Sequence, residues 1–356
     1  MTPLMLIFSL LMILSCNKND DFGEVNSGSS QYIDGNGVFI INEGNYGQGN
    51  GSLSFLNLDS MKIGNDIFSQ ANSRPVGDVP FSMQIVGKDA WIVVNNSARI
   101  EVVNLENMKS VATIPVEGSP RFAIKVQPNK LYISNFSLNR IFVADIQNQR
   151  ITGEIPLTGS TEQMVLATGK VFAAFWSNYH FPILNNNRIF VIDPENDQFI
   201  DSVIVGKEPN SMVVDKNGKL WVLCSGGFLN DELPSLWRIN PDEPEVEFTL
   251  QFPEINSSPT SLCINGTGDT LFFLNQGIFK MAISDSQLPL FSLIPENEHL
   301  FYSLAVHPVT STIFATDAID YQQRGIVLRY ITNGTFTDSF RAGIIPGFMM
   351  FSKNED

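Results

Sequence analysis

A short frame returns along almost the whole chain: a proline, two variable positions, then three apolar or near-apolar ones. It stands as PFSMQI from Pro80, PRFAIK from Pro120, PNSMVV from Pro209, PTSLCI from Pro259 and PGFMMF from Pro346. Two degenerate copies share the frame, TEQMVL from Thr161 and FYSLAV from Phe301. Successive starts lie 40, 41, 48, 50, 42 and 45 residues apart. After each of the first six copies comes a turn such as VGKD or DKNGK, then an apolar run such as AWIVVNN or LWVLCS. A loop of variable length leads to a third run (RIEVVNL, RIFVIDP), and a fourth leads to the next copy. Four short strands per repeat, without helical periodicity, describe a propeller blade.

The ends of the chain decide how such a ring closes. Gly37–Phe68 supplies the second, third and fourth strands of a blade but lacks the proline-frame strand, while Ile345–Phe351 is that strand without successors. Joining them completes one blade and removes an open sheet edge. The expectation is an all-β, seven-bladed β-propeller, its ring closed by the C-terminal strand joining the N-terminal blade. Its domain would span 37–356. With 43% hydrophobic residues the chain has ample material for such a core. Its net charge of −15 argues against nucleic acid or an anionic membrane surface as partner.

The first 36 residues read differently. LMLIFSLLMILSC is too short an apolar run to span a bilayer and suits a signal-peptide core. Ile13-Leu14-Ser15-Cys16 resembles a bacterial lipobox, which implies a signal peptide at 1–15 and lipidation of Cys16. The polar Gly/Ser/Asn stretch that completes 16–36 reads as a flexible tether. Within it Lys18-Asn19-Asp20-Asp21 resembles the signal that sends Bacteroidetes lipoproteins to the outer face of the outer membrane. The expected localisation is therefore the outer membrane, lipid-anchored and facing outward. Cys224 and Cys263 lie in strand-like context and read as buried thiols, with a disulfide between them the alternative.

In a propeller, the loop before the first strand and the loop between the second and third share one face. The segment EGNYGQGN, Glu43–Asn50, is such a loop, with counterparts at Asn95–Arg99, Asn135–Arg140, Ser177–Arg188, Ser225–Ser235, Asn275–Gly277 and Asp317–Gly325. Four of the seven are far longer than closing a hairpin requires, and long loops gathered on one face point to use. They carry Asn45, Tyr46, Asn96, Phe136, Trp176 at a strand end, Tyr179, His180, Phe228 and Tyr321. Positions after the frame's first residue add Phe81, Arg121 and Tyr302 near the channel mouth. Aromatic faces among neutral amides suit a large, mostly uncharged ligand. These twelve residues form the expected ligand-binding set, with packing of the loops against one another as the alternative role. No catalytic constellation, metal-ligand spacing or phosphate loop is visible, so the chain is expected to be no enzyme and to hold no metal or cofactor.

Taken together, VFIINEGNYGQGNGSLSFLNLD, the P-x-x-M blade starts and the acid-flanked lipobox resemble a family of surface-exposed propeller lipoproteins of Bacteroidetes, of the DUF5074-like kind. Members capture vitamin B12 and sit over a TonB-dependent outer-membrane transporter. The resemblance implies cobalamin as a transported ligand rather than a cofactor, the transporter as partner, and the membrane as contact through the lipid alone. Two alternatives stay open: the same architecture serving a siderophore, haem or glycan, and a propeller that binds proteins.

Overall fold

Every second strand is apolar at consecutive positions, which makes sense only if both of its faces are covered. The computed structural model, which describes residues 32–33, 35–176 and 186–352, shows what covers them. The strands form seven four-stranded antiparallel sheets. In blade 2 the run Ala90–Val94 sends Ile92 and Val94 into a cluster shared with blade 1, and Trp91 and Val93 into one shared with blade 3. Each of the seven junctions between neighbouring blades has its own buried cluster of this kind. The core is thus a closed ring of sheet-on-sheet contacts, and period-two alternation serves two neighbours at once.

Blade 1 is assembled from both ends of the described chain: Pro346–Phe351 innermost, then Gly37–Asn42, Ser52–Asn57 and Lys62–Gly64. Val38 pairs with Phe351, Ile40 with Met349 and Ile41 with Phe348. The joint is fastened at its ends. The Gly37 N–H donates to Ser352 Oγ at 3.0 Å, and the Gly343 N–H donates to Asn42 Oδ1 at 2.9 Å. The innermost strands of blades 2 to 7 are Pro80–Val86, Pro120–Gln127, Met164–Ala167, Pro209–Val214, Thr260–Ile264 and Phe301–Val306. The expected fold and its closure are the observed ones.

Two details depart from the sequence pattern. Phe68, expected at the end of a fourth strand, lies in a short helix, α1 (Ile67–Asn72), after an outermost strand of only three residues. Ile67 and Phe68 are buried in the same cluster as Leu53, so the helix covers third-strand surface that a fuller outer strand would have covered. Asn72 ties it to blade 2 by donating to the Met108 carbonyl at 2.8 Å. In blade 6 the outermost strand shrinks to Ile294–Pro295. Among the described residues no helix is long and apolar enough to cross a membrane. Cys224 and Cys263 are both free thiols. The expected signal peptide, lipidation at Cys16 and most of the tether lie outside the described residues.

Candidate functional site

The inner strands run from the loop face toward the opposite face, so the first residues of each frame ring the channel mouth. Side chains there enclose a cavity of about 290 Å³ to which all seven blades contribute. Its wall has two characters. Blades 7, 1, 2, 3 and 4 supply Tyr302, Glu43, Phe348, Phe81, Phe122, Arg121, Glu162 and Trp176; blades 5 and 6 supply Asn210, Ser211, Thr260 and Ser261.

Arg121 organises the first group. Its Nε lies 2.8 and 2.7 Å from the two carboxylate oxygens of Glu162, one blade further on. The guanidinium carbon sits 3.5 Å from the centre of the Phe81 ring, with Phe136 at 5.4 Å and Trp176 at 5.7 Å. Phe136 and Trp176 pack against each other at 5.5 Å. Both charges of the pair are largely buried, a placement that demands partners of this quality.

Glu43 reaches the cavity because the backbone delivers it there. Its N–H donates to the Ile345 carbonyl at 2.8 Å and the Gly44 N–H to the Ile344 carbonyl at 3.0 Å. Ile345 takes a positive φ of 52°, a strained choice for a β-branched residue, and this conformation accompanies the carbonyl's contact with the loop. Gly347 completes the arrangement: a Cβ there would stand 2.1 Å from Glu43 Oε1. The Tyr302 hydroxyl lies 3.1 Å from each Glu43 oxygen and donates to the carboxylate. Burial pushes the Glu43 carboxyl up to about 7, against the pull of Arg121 and the Tyr302 bond, with Glu162 adding to the rise. The Tyr302 phenol is raised in turn, chiefly by burial and then by Glu43.

Of the expected binding residues, Phe81, Arg121, Trp176 and Tyr302 line the cavity, and Phe136 stands behind Trp176. Tyr321 packs edge-on against Tyr302 at 5.8 Å, and Asn45 donates to the Tyr321 carbonyl at 2.6 Å. Asn96 binds Asp78 Oδ2 at 2.6 Å instead of lining the cavity, and the same carboxylate accepts the Gly47 N–H. Tyr46 and Phe228, 78% and 75% exposed, rise from the rim on loops held by backbone bonds. Tyr179 and His180 lie outside the described residues. Sequence reasoning passed over Glu43, Phe122, Glu162 and Phe348. Glu162 occupies the same frame position as Phe81 and Arg121, in a degenerate copy, so the repeat itself carried the signal. Among the described residues no cluster of His, Cys, Asp and Glu could hold a metal ion.

A seven-bladed propeller with a mixed aromatic and ionic cavity at its loop face defines the class of this protein. The chain belongs to the family described as a domain of unknown function, DUF5074, whose model matches residues 36–336. None of the curated proteins matches it. Among solved structures it is similar to a quinonprotein alcohol dehydrogenase-like protein from Bacteroides thetaiotaomicron, at 12% identity and a TM-score of 0.67, over 90% of this chain and 79% of that one. It is also similar to the β-propeller domain of Cps50 (Swd1) from Myceliophteria thermophila, at 13% identity and a TM-score of 0.60, over 82% and 94% of the two chains. Hydrazine synthase of Kuenenia stuttgartiensis follows at 16% identity and a TM-score of 0.55, over 70% and 76%. Likeness at these identities speaks for the fold alone.

Proposed function

We propose that the protein is a lipid-anchored, non-catalytic cell-surface receptor that captures a corrinoid on its loop face and passes it to a TonB-dependent transporter in the outer membrane. The observation carrying this reading is one cavity at the channel mouth lined by the rings of Phe81, Phe122, Trp176 and Tyr302 and the amides of Gln163 and Asn210, with Tyr46 and Phe228 exposed on loops of the same face. A corrin macrocycle exceeds a cavity of about 290 Å³, so it rests on the rim against Tyr46 and Phe228, with one substituent reaching inward. The charges favour this over an anionic iron chelate. Among the described residues Arg121 is the one base in the wall and is committed to Glu162, while Glu43 adds a second acid. The chain enters blade 1 at Gly37, the end of the second strand opposite the loop face, so a tether from Cys16 joins the propeller on the side away from the cavity.

Titration of residues 22–356 with cyanocobalamin by calorimetry tests the reading. One-to-one binding is expected, weakened about tenfold or more in Trp176→Ala, the order of effect that truncating a buried aromatic anchor has. Absence of heat with roughly 50 µM ligand overturns it, since the corresponding affinity would be too weak for capture.

A further inference from the structure

The cavity contains an unbalanced charge. Among the described residues, both Glu162 oxygens are occupied by Arg121, whereas the Glu43 carboxylate receives a single hydroxyl, that of Tyr302. Among them no cation bonds to ionised Glu43, and burial holds its carboxyl near 7. The walls around it are aromatic: Phe81, Phe122, Trp176, Tyr302 and Phe348. One of those rings already takes a cation on its face, Phe81 beneath Arg121 at 3.5 Å.

We propose that this cavity is a site for an organic ammonium cation, held by the Glu43 carboxylate and the aromatic faces around it. The assignment does not rest on the corrinoid reading, which seats the macrocycle on the rim above and only one substituent in the cavity. The cavity, about 290 Å³, has room for a compact ammonium ion and sits at the small end of ligand sites. No covalent step is involved: the cation binds, the Glu43 carboxyl releases its proton to solvent, and the net charge of the filled site becomes zero. The groups facing Glu43 are Arg121, Glu162 and Tyr302, with Tyr321 behind Tyr302. Arg121 and Glu162 neutralise each other, and the Tyr302 phenol is raised away from neutrality, which leaves Glu43 to set the pH dependence.

The probe is choline chloride, titrated into residues 22–356 by calorimetry between pH 5.5 and 8.5 in buffers of different ionisation enthalpy. Affinity should rise by up to about tenfold per pH unit below about 7 and level off above it, with as much as one proton released per cation bound. The neutral isostere 3,3-dimethylbutan-1-ol should not compete. Glu43→Gln, close to isosteric, should lose about tenfold or more and abolish the pH dependence. Proton release by the unaltered protein is an independent readout should that variant fold poorly. Absence of binding at roughly 20 mM choline, or binding that tightens as pH falls, overturns the assignment. The second result would mean that choline prefers protonated Glu43, so that the carboxylate is not the partner of the cation. Cyanocobalamin titrated into the same Glu43→Gln protein reports on the rim separately.

Discussion

The two sides of the cavity wall are built from the same positions of the same repeat, yet they differ in chemistry. From blade 7 through blade 4 the frame positions and the Glu43 loop bring four rings of Phe and Trp, one Tyr, and three charges into mutual contact. In blades 5 and 6 the equivalent positions hold Asn210, Ser211, Thr260 and Ser261, which present hydroxyls and an amide; Asn210 donates to the Pro259 carbonyl and Ser211 accepts the Leu262 N–H. Behind both halves each junction between blades keeps a buried apolar cluster. A repeat thus separates its obligations by position: junction residues must satisfy packing in every blade, whereas mouth residues are free to vary. The half that departs furthest from small and polar is where rings and charges concentrate.

The comparison is broken most forcefully at the ion pair. Glu162→Ala leaves Arg121 buried beside aromatic rings without its counter-ion and should destabilise the protein by about 3 kcal/mol, read as a lower denaturant midpoint at unchanged slope. Replacing both partners with apolar residues of similar volume should recover most of that loss.

Glu43→Gln has a smaller effect, and its sign depends on pH. The Glu43 carboxyl is raised from its ordinary value of 4.5 to about 7, so the native state binds the extra proton between those values. Stability therefore falls as pH rises from about 4.5 through about 7. The variant should match the parent near pH 4.5 and exceed it by about 1–2 kcal/mol at pH 8.5, a figure reduced from the full shift because the residue borders open cavity. Thermal melts at both pH values check this, and equal melting points at pH 8.5 would show that Glu43 ionises without penalty. At the bottom of the scale stands Thr260→Ala on the polar half, which should change stability by less than about 0.5 kcal/mol in the same melts.

The architecture was legible because its determinants are local and repeated. Proline frames, turns and doubly apolar second strands recur in register, and the missing first strand at one end answers the surplus strand at the other. The helix Ile67–Asn72 was not legible, since its six residues are too few to show a period against the strand pattern. The cavity was half legible. Phe81, Arg121, Trp176 and Tyr302 stand at frame positions or strand ends and were placed by counting alone. Glu43 was hidden, because an acid in a polar loop resembles a solvated one until Gly347 and the Ile345 carbonyl are seen to turn it inward.

The joint in blade 1 bears on the order in which the molecule can come into being. A ribosome delivers Gly37–Asn42 long before their inner neighbour Pro346–Phe351, with Gly37 and Ser352 separated by 315 positions. Until then one flank of the first sheet has no partner, and the neighbouring blade finds Val38, Ile40 and Leu56 there but not Met349 and Phe351. Completion consequently joins two distant parts of the chain, and removing Pro346–Phe351 strips blade 1 of its inner strand and the ring of its closure at one stroke.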